Sequence, residues 1–154
     1  YYGIRARLLT MVNGFKFPEH YVPLEPGVYC ISASILEHVY SPVRGDWTLA
    51  WEKEYQELRK LEPDLLAYET NPTRRAELQR DAPEKNWNWA VSRHQILRFA
   101  RLCYYLRVRQ PDANAGYSIF IYRLTAEEIA AATGGSLAQW QALIERTVAA
   151  SPGH

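Results

Sequence analysis

His94, Arg98, Arg101 and Tyr105 recur at i, i+4, i+7 and i+11, so a helix through them carries all four on one side. Trp87 and Trp89 stand at the start of that helix, and Asp46-Trp47 is a second aromatic and charged pair that the fold could bring near. Arginines with aromatic platforms suit anionic or sugar ligands, because the guanidinium fork makes paired hydrogen bonds while ring faces stack on cations or on sugar C–H groups. These residues form the candidate ligand-binding set. The plainer reading, which the sequence favours, is a solvent-facing arginine row with interface tryptophans.

Other chemistry is weakly supported. Gly116-Tyr117-Ser118-Ile119-Phe120 is one glycine short of a nucleophile elbow, and the apolar run continues through Ile121 and Tyr122 where an elbow would turn sharply into a helix. Gly134-Gly135 precedes a helix but lacks both the lysine of a phosphate loop and a preceding strand, so it reads as a helix C-cap. His20, His38, His94 and His154 have no ligand spacing, and Cys30 and Cys103 lie in no C-x-x-C or Cys/His pattern. Both cysteines sit in apolar runs and are expected as buried free thiols, with a disulfide as the alternative. Carboxylate pairs could be assembled from Asp46, Glu52, Glu54 or Asp64, but a solvated helix face accounts for most of them. No catalytic residue, metal site or cofactor is assigned.

The bounds agree with this restraint. A chain of 154 residues with 47% hydrophobic and 23% charged content fits one globular domain with a real core. Eighteen Lys and Arg against 17 Asp and Glu leave a net charge of +1, which gives no global case for nucleic acid. No window approaches the roughly 18 to 20 consecutive apolar residues of a membrane span. The chain starts Tyr1-Tyr2-Gly3 without an initiator Met, as expected of a fragment of something longer.

The elements that must position these residues follow from periodicity and punctuation. Residues 1–26 show no sustained period and read as irregular, with one short helix near residues 4–11. Pro26-Gly27 introduces a strand over residues 28–34, and residues 117–123 form the most β-prone run, apolar on both faces as in a strand covered on both sides. Asp46 or Thr48 caps a helix with the stripe Trp51, Tyr55, Leu58, and with Glu52, Lys53, Glu54, Glu57, Arg59 and Lys60 facing out. Residues 63–86 read as a surface excursion containing one helix start at Asn71-Pro72. The longest helix opens at Asn86 or Asn88 and ends near Arg109, before Gln110-Pro111. Capping boxes at Thr125-Ala126-Glu127-Glu128 and Ser136-Leu137-Ala138-Gln139 open the last two helices. Two strands separated by helices favour a parallel crossover. The expected class is α/β, a small mixed or parallel sheet covered by helices, with an incomplete Rossmann-like domain as one form it can take.

Four segments in order, residues 1–4 (YYGI), 26–34 (PGVYCISAS), 101–112 (RLCYYLRVRQPD) and 116–122 (GYSIFIY), resemble the soluble C-terminal domain of polytopic membrane glycosyltransferases of the GT-C type. These are related to glycosyltransferase family 39 and include protein O-mannosyltransferase-like and lipid A aminoarabinose transferase-like enzymes. The resemblance covers about residues 1–124, with a variable middle. It implies an extracytoplasmic, soluble module attached to a membrane body that moves a sugar from a polyprenyl-phosphate donor. That body is then the partner, and a glycan or the polyprenyl-phosphate headgroup the ligand. Such families keep the catalytic acid in the membrane body and carry an S-N-x-D-W-G-Q segment just before the soluble part. Neither occurs in this sequence, so the resemblance transfers no catalytic residue.

Overall fold

Local chemistry starts most of the helices. In the computed structural model, which describes residues 20–39 and 41–150, β1 (Gly27–Ser32) leads directly into a short α1 (Ala33–Leu36). Thr48 accepts the Trp51 N–H at 3.4 Å to open α2 (Leu49–Arg59). After α3 (Glu62–Thr70), Asn71 accepts the Arg74 N–H at 3.0 Å and Pro72 takes the first helical position of α4 (Pro72–Asp81). The long α5 (Glu84–Arg107) begins at Pro83, slightly earlier than either asparagine suggested. Next come β2 (Ala113–Ala115), β3 (Ile119–Leu124), α6 (Ala126–Thr133) and α7 (Leu137–Ala150).

The capping box of α6 is complete: the Glu128 N–H donates to the Thr125 hydroxyl at 3.2 Å, and the Thr125 N–H donates to Glu128 Oε2 at 2.9 Å. Thr125→Ala should lower the unfolding free energy by about 1 kcal/mol, whereas Thr125→Ser should be nearly silent. Urea unfolding of the two variants checks this. Equal stability of Thr125→Ala and wild type would mean that the box contributes nothing.

The three strands lie in the order β1-β3-β2, and both pairings are antiparallel. The run around residues 117–123 is therefore the central strand, but the parallel crossover and the Rossmann-like form are corrected. A long helical connection permits a parallel pair without enforcing one, and here it returns the chain so that Cys30 opposes Ile121 and Ser32 opposes Ile119. Just before β3, residues 113–115 form the remaining strand, β2, at the edge of the sheet. Residues 116–118 make a three-residue hairpin loop with Gly116 at φ +63°, a conformation glycine adopts without strain. Asp112 locks the hairpin: its N–H donates to the Ile121 carbonyl at 2.9 Å and its carboxylate accepts the Arg123 N–H at 2.6 Å.

Two apolar cores meet on α5. Tyr55, Leu58, Leu65, Tyr68, Leu97 and Trp140 build the helical one. Ile31, Leu36, Leu102, Leu106, Tyr122 and Leu124 build the one beneath the sheet. Half-buried Tyr105 packs against both. Residues 63–86, expected as a surface excursion, instead supply Leu65, Tyr68 and Leu78 to the interior through α3 and α4. Among the described residues the sheet is covered on one face: Ile31, Tyr122 and Leu124 are buried, while Val28 is 63% and Ile119 39% exposed on the other side. Among the described residues no helix is long and apolar enough to cross a membrane. Cys103 is a buried free thiol, and burial pushes its pKa far up; Cys30 is also free but exposed, at the open face of β1. The expected short helix near residues 4–11 and His154 lie outside the described residues.

Candidate functional site

The arginine row of α5 turns inward. Arg101 and Glu52 are both fully buried and form a forked ion pair, Nε to Oε2 at 2.8 Å and Nη2 to Oε1 at 2.9 Å. The same carboxylate accepts the Trp47 indole N–H at 2.8 Å and the Gln56 amide at 2.7 Å. The Arg101 guanidinium lies 3.6 Å from the centre of the Trp140 ring and 4.7 Å from that of Tyr55. Burial lowers the Arg101 pKa, and contact with Glu52 opposes that shift. Arginine stays charged across the ordinary pH range.

The remaining Arg101 donor explains why a cation belongs there. Helix ends leave carbonyl groups without intrahelical partners and carry partial negative charge. At the end of α6 those oxygens are taken by side chains from elsewhere: Ala132 by Arg101 at 3.0 Å, Thr133 by Tyr55 at 2.8 Å, Gly134 by the Trp140 indole at 2.9 Å, and Gly135 by Arg59 at 2.8 Å. The Gly134-Gly135 pair is the helix C-cap expected from its sequence, and a Cβ at Gly134 would stand 2.5 Å from the Ala130 carbonyl oxygen.

One turn earlier, Arg98 holds the incoming chain. It donates to the Tyr21 hydroxyl at 2.8 Å, to Gln95 Oε1 at 2.6 Å and to the Val22 carbonyl, and Gln95 donates to the His20 carbonyl. Tyr21 in turn donates to Glu62 at 2.5 Å, and burial, partly opposed by Arg98, raises its pKa well above the ordinary value. His94 lies between the rings of Tyr21 and Tyr55, with centroids at 5.9 and 5.6 Å. Neither of its ring nitrogens has a partner among the described residues. Burial, reinforced by Arg98 and then Arg59, lowers its pKa to about 3, so the ring is neutral.

The predicted set thus divides into four. His94, Arg98, Arg101 and Trp47 are interior, so the solvent-facing arginine row is corrected: these side chains fasten α2, α5, α6 and the segment before β1 to one another. Asp46 is exposed and pairs with Arg107 at 3.1 Å. Tyr105 bridges the two cores. Chemically, the Glu52–Arg101 pair is a buried clamp whose carboxylate already accepts four hydrogen bonds, with no lone pair left for a substrate. Glu52 was missed as a buried group because it sits in a Glu-Lys-Glu run. The available signal was its place three residues before Tyr55 and six before Leu58, on their side of the helix.

Trp87 and Trp89 occupy a different place, a cleft of about 350 Å³ between the end of α2 and the start of α5. Leu58, Leu61, Ala82 and Ala90 supply its apolar lining and Asn86 its rim. Trp87 is a fixed wall, its ring stacked on Tyr68 at 5.7 Å and its indole N–H donated to the Leu78 carbonyl at 3.0 Å. Trp89 is 59% exposed. Asn86 was expected only as a helix cap, a role that Pro83 fills instead.

Ser118 lies in the exposed β2–β3 loop, its carbonyl accepting the Ala33 N–H at 2.8 Å. No described side chain hydrogen-bonds to its hydroxyl. Among the described residues no group of three or more His, Cys, Asp or Glu side chains could hold a metal ion. No protein-family model matches this chain, and no curated protein or solved structure matches it either.

Proposed function

We propose that this chain is a non-catalytic accessory domain of a membrane glycosyltransferase that uses a polyprenyl-phosphate-linked sugar donor, held on the extracytoplasmic side against the membrane-embedded remainder of its parent protein. The ordered sequence segments motivate the reading. Three of them pack together: residues 26–34 form β1 and the start of α1, residues 116–122 lead into and form most of β3, and residues 101–112 form the end of α5 beneath that pair and the turn that follows it.

The observation that carries the proposal is the face of the sheet that no described element covers. An antiparallel sheet with one wet face normally alternates apolar inward and polar outward. Here the outward positions of the two motif strands hold Val28, Cys30, Ile119 and Ile121, with Ala113 opposite Ile121 and Ala115 opposite Ile119, and the polar Arg123 and Ser32 stand at the two ends of the pair. Residues that carry the resemblance therefore leave an apolar surface of the kind that marks a protein contact. The contact expected from the family is the parent's membrane body.

Ile121→Lys should leave the isolated chain folded, within about 1 kcal/mol of wild type. In the parent protein it should abolish cross-linking from the exposed Cys30 to the membrane body and reduce sugar transfer. A parent gene encoding no hydrophobic spans upstream of Tyr1 would refute the reading. The tryptophan cleft favours a second reading, a carbohydrate- or protein-binding module with no transferase link. Binding of glycosides by the chain, with no sugar transfer by the parent, would select it.

A further inference from the structure

We infer that the cleft formed by Leu58, Leu61, Asn86, Trp87, Trp89 and Ala90 is a binding site for one neutral sugar ring, stacked on the Trp89 indole and hydrogen-bonded by its hydroxyl groups at the Asn86 rim. Charge decides first among ligand classes. The cleft lining holds no charged side chain, so it offers neither a cation for a phosphate nor a carboxylate for an amine. The arginines that suggested an anionic ligand are committed elsewhere: Arg101 to Glu52 and the end of α6, Arg98 to Tyr21 and Val22. A neutral ligand is what remains.

Unspent hydrogen-bonding groups decide next. Trp87 has already donated its N–H to Leu78, but Trp89's N–H and Asn86's side-chain amide have no partner among the described residues. An apolar side chain or an isoprenoid would make no use of either group, both of which belong to exposed residues at the edge of the cleft. A pyranose matches both surfaces at once. One face presents C–H groups to the indole and the leucine side chains, and the rim presents hydroxyls that donate to the Asn86 carbonyl oxygen and accept from the two N–H sources. The volume of about 350 Å³ falls at the small end of ligand pockets, which run from about 300 to 1,000 Å³. Trp87, braced by Tyr68, gives the site a wall formed before the ligand arrives, which reduces the entropy lost on binding.

The inference deepens the accessory-domain reading and rests on it for the origin of the sugar, since a donor headgroup or a glycosylated acceptor would both present such a ring. The experiment is a titration of the ¹⁵N-labelled 154-residue chain with methyl α-D-mannopyranoside, methyl β-D-glucopyranoside, inorganic phosphate and geraniol, following the Trp89 indole and Asn86 side-chain amide resonances. At least one glycoside should shift both resonances saturably. Trp89→Ala should weaken that binding at least about tenfold, and Asn86→Ala severalfold. Because Trp89 is largely exposed, both variants should keep the wild-type dispersion of other resonances, and Trp89→Phe, which retains a ring, should bind with intermediate affinity. Absence of a saturable shift with either glycoside overturns the proposal, as does saturation by geraniol or phosphate alone, or glycoside binding unchanged in Trp89→Ala. Failure here with an active parent transferase would remove the sugar site and leave the accessory-domain reading standing. Glycoside binding with a parent lacking membrane spans would do the reverse.

Discussion

Arg101→Met should destabilise the chain by about 3–5 kcal/mol, a large share of the 5–15 kcal/mol typical of a whole domain. The substitution keeps an unbranched chain in the space between Trp140 and Tyr55 but strips Glu52 of its counter-charge in a site with no water access. It also leaves the Ala132 carbonyl at the end of α6 without its donor. Two remaining donors, Trp47 and Gln56, carry no charge to balance a carboxylate, so the variant buries Glu52 without a counter-ion. The double variant Glu52→Leu/Arg101→Met removes both charges and should cost less than the sum of the two single changes, with a coupling of roughly 1–3 kcal/mol. Urea unfolding with an unchanged slope measures all three. A cost below about 1 kcal/mol for Arg101→Met would show that the pair is hydrated, and the description of a buried clamp would fall.

Why that clamp was invisible in the sequence is a matter of which interactions are local. The Thr48, Asn71, Thr125 and Ser136 caps bind backbone groups three residues away, so sequence spacing alone reveals them, and each opens its helix where expected. The two main strands were legible from β-branched and aromatic content, but their relative direction was not, because the helical connection between them is compatible with either. β2 was hidden by its Ala-Asn-Ala composition; it exists because Asp112 pins Arg123 and Gly116 turns the hairpin. The helical period correctly placed His94, Arg98 and Arg101 on one row, yet it could not say which way the row faces. Arginine normally points to water, and the reversal depends on Glu52, the end of α6 and Tyr21, all distant in sequence. Trp47 does join Arg101, since both donate to the Glu52 carboxylate. The cleft was half legible: the tryptophans lie close together in the sequence, but Leu58 reaches it from α2 and Leu61 from the turn that follows α2.

Lowering the pH from 7.5 to 5 should remove about 4 kcal/mol of stability through two histidines that are buried uncharged. His94 has its pKa lowered to about 3 by burial, then by Arg98 and Arg59. His38 is lowered to about 4 by burial and then Arg107, against the Val43 carbonyl, which accepts from its Nδ1 at 3.1 Å, and Asp46, which both favour the charged form. The sign follows from proton counting. Below the unfolded value of 6.5 the unfolded chain takes up a proton at each ring that the folded chain refuses, so unfolding is favoured as pH falls. Each group contributes about 1.4 kcal/mol per pH unit between 6.5 and its folded pKa, and both do so together down to about pH 4. The carboxyl groups of Asp112 and Glu127 titrate below their ordinary values, so they leave the interval from 6.5 to 5 to the histidines. Urea unfolding free energies at pH 7.5, 6.5, 6 and 5 should therefore be flat above 6.5 and fall steeply beneath it. In His94→Phe, which keeps a ring between Tyr21 and Tyr55, the fall between 6.5 and 5 should be roughly halved. The same slope in His94→Phe as in wild type would mean that His94 takes up its proton in the folded state, and that the space between the two tyrosines is open to water.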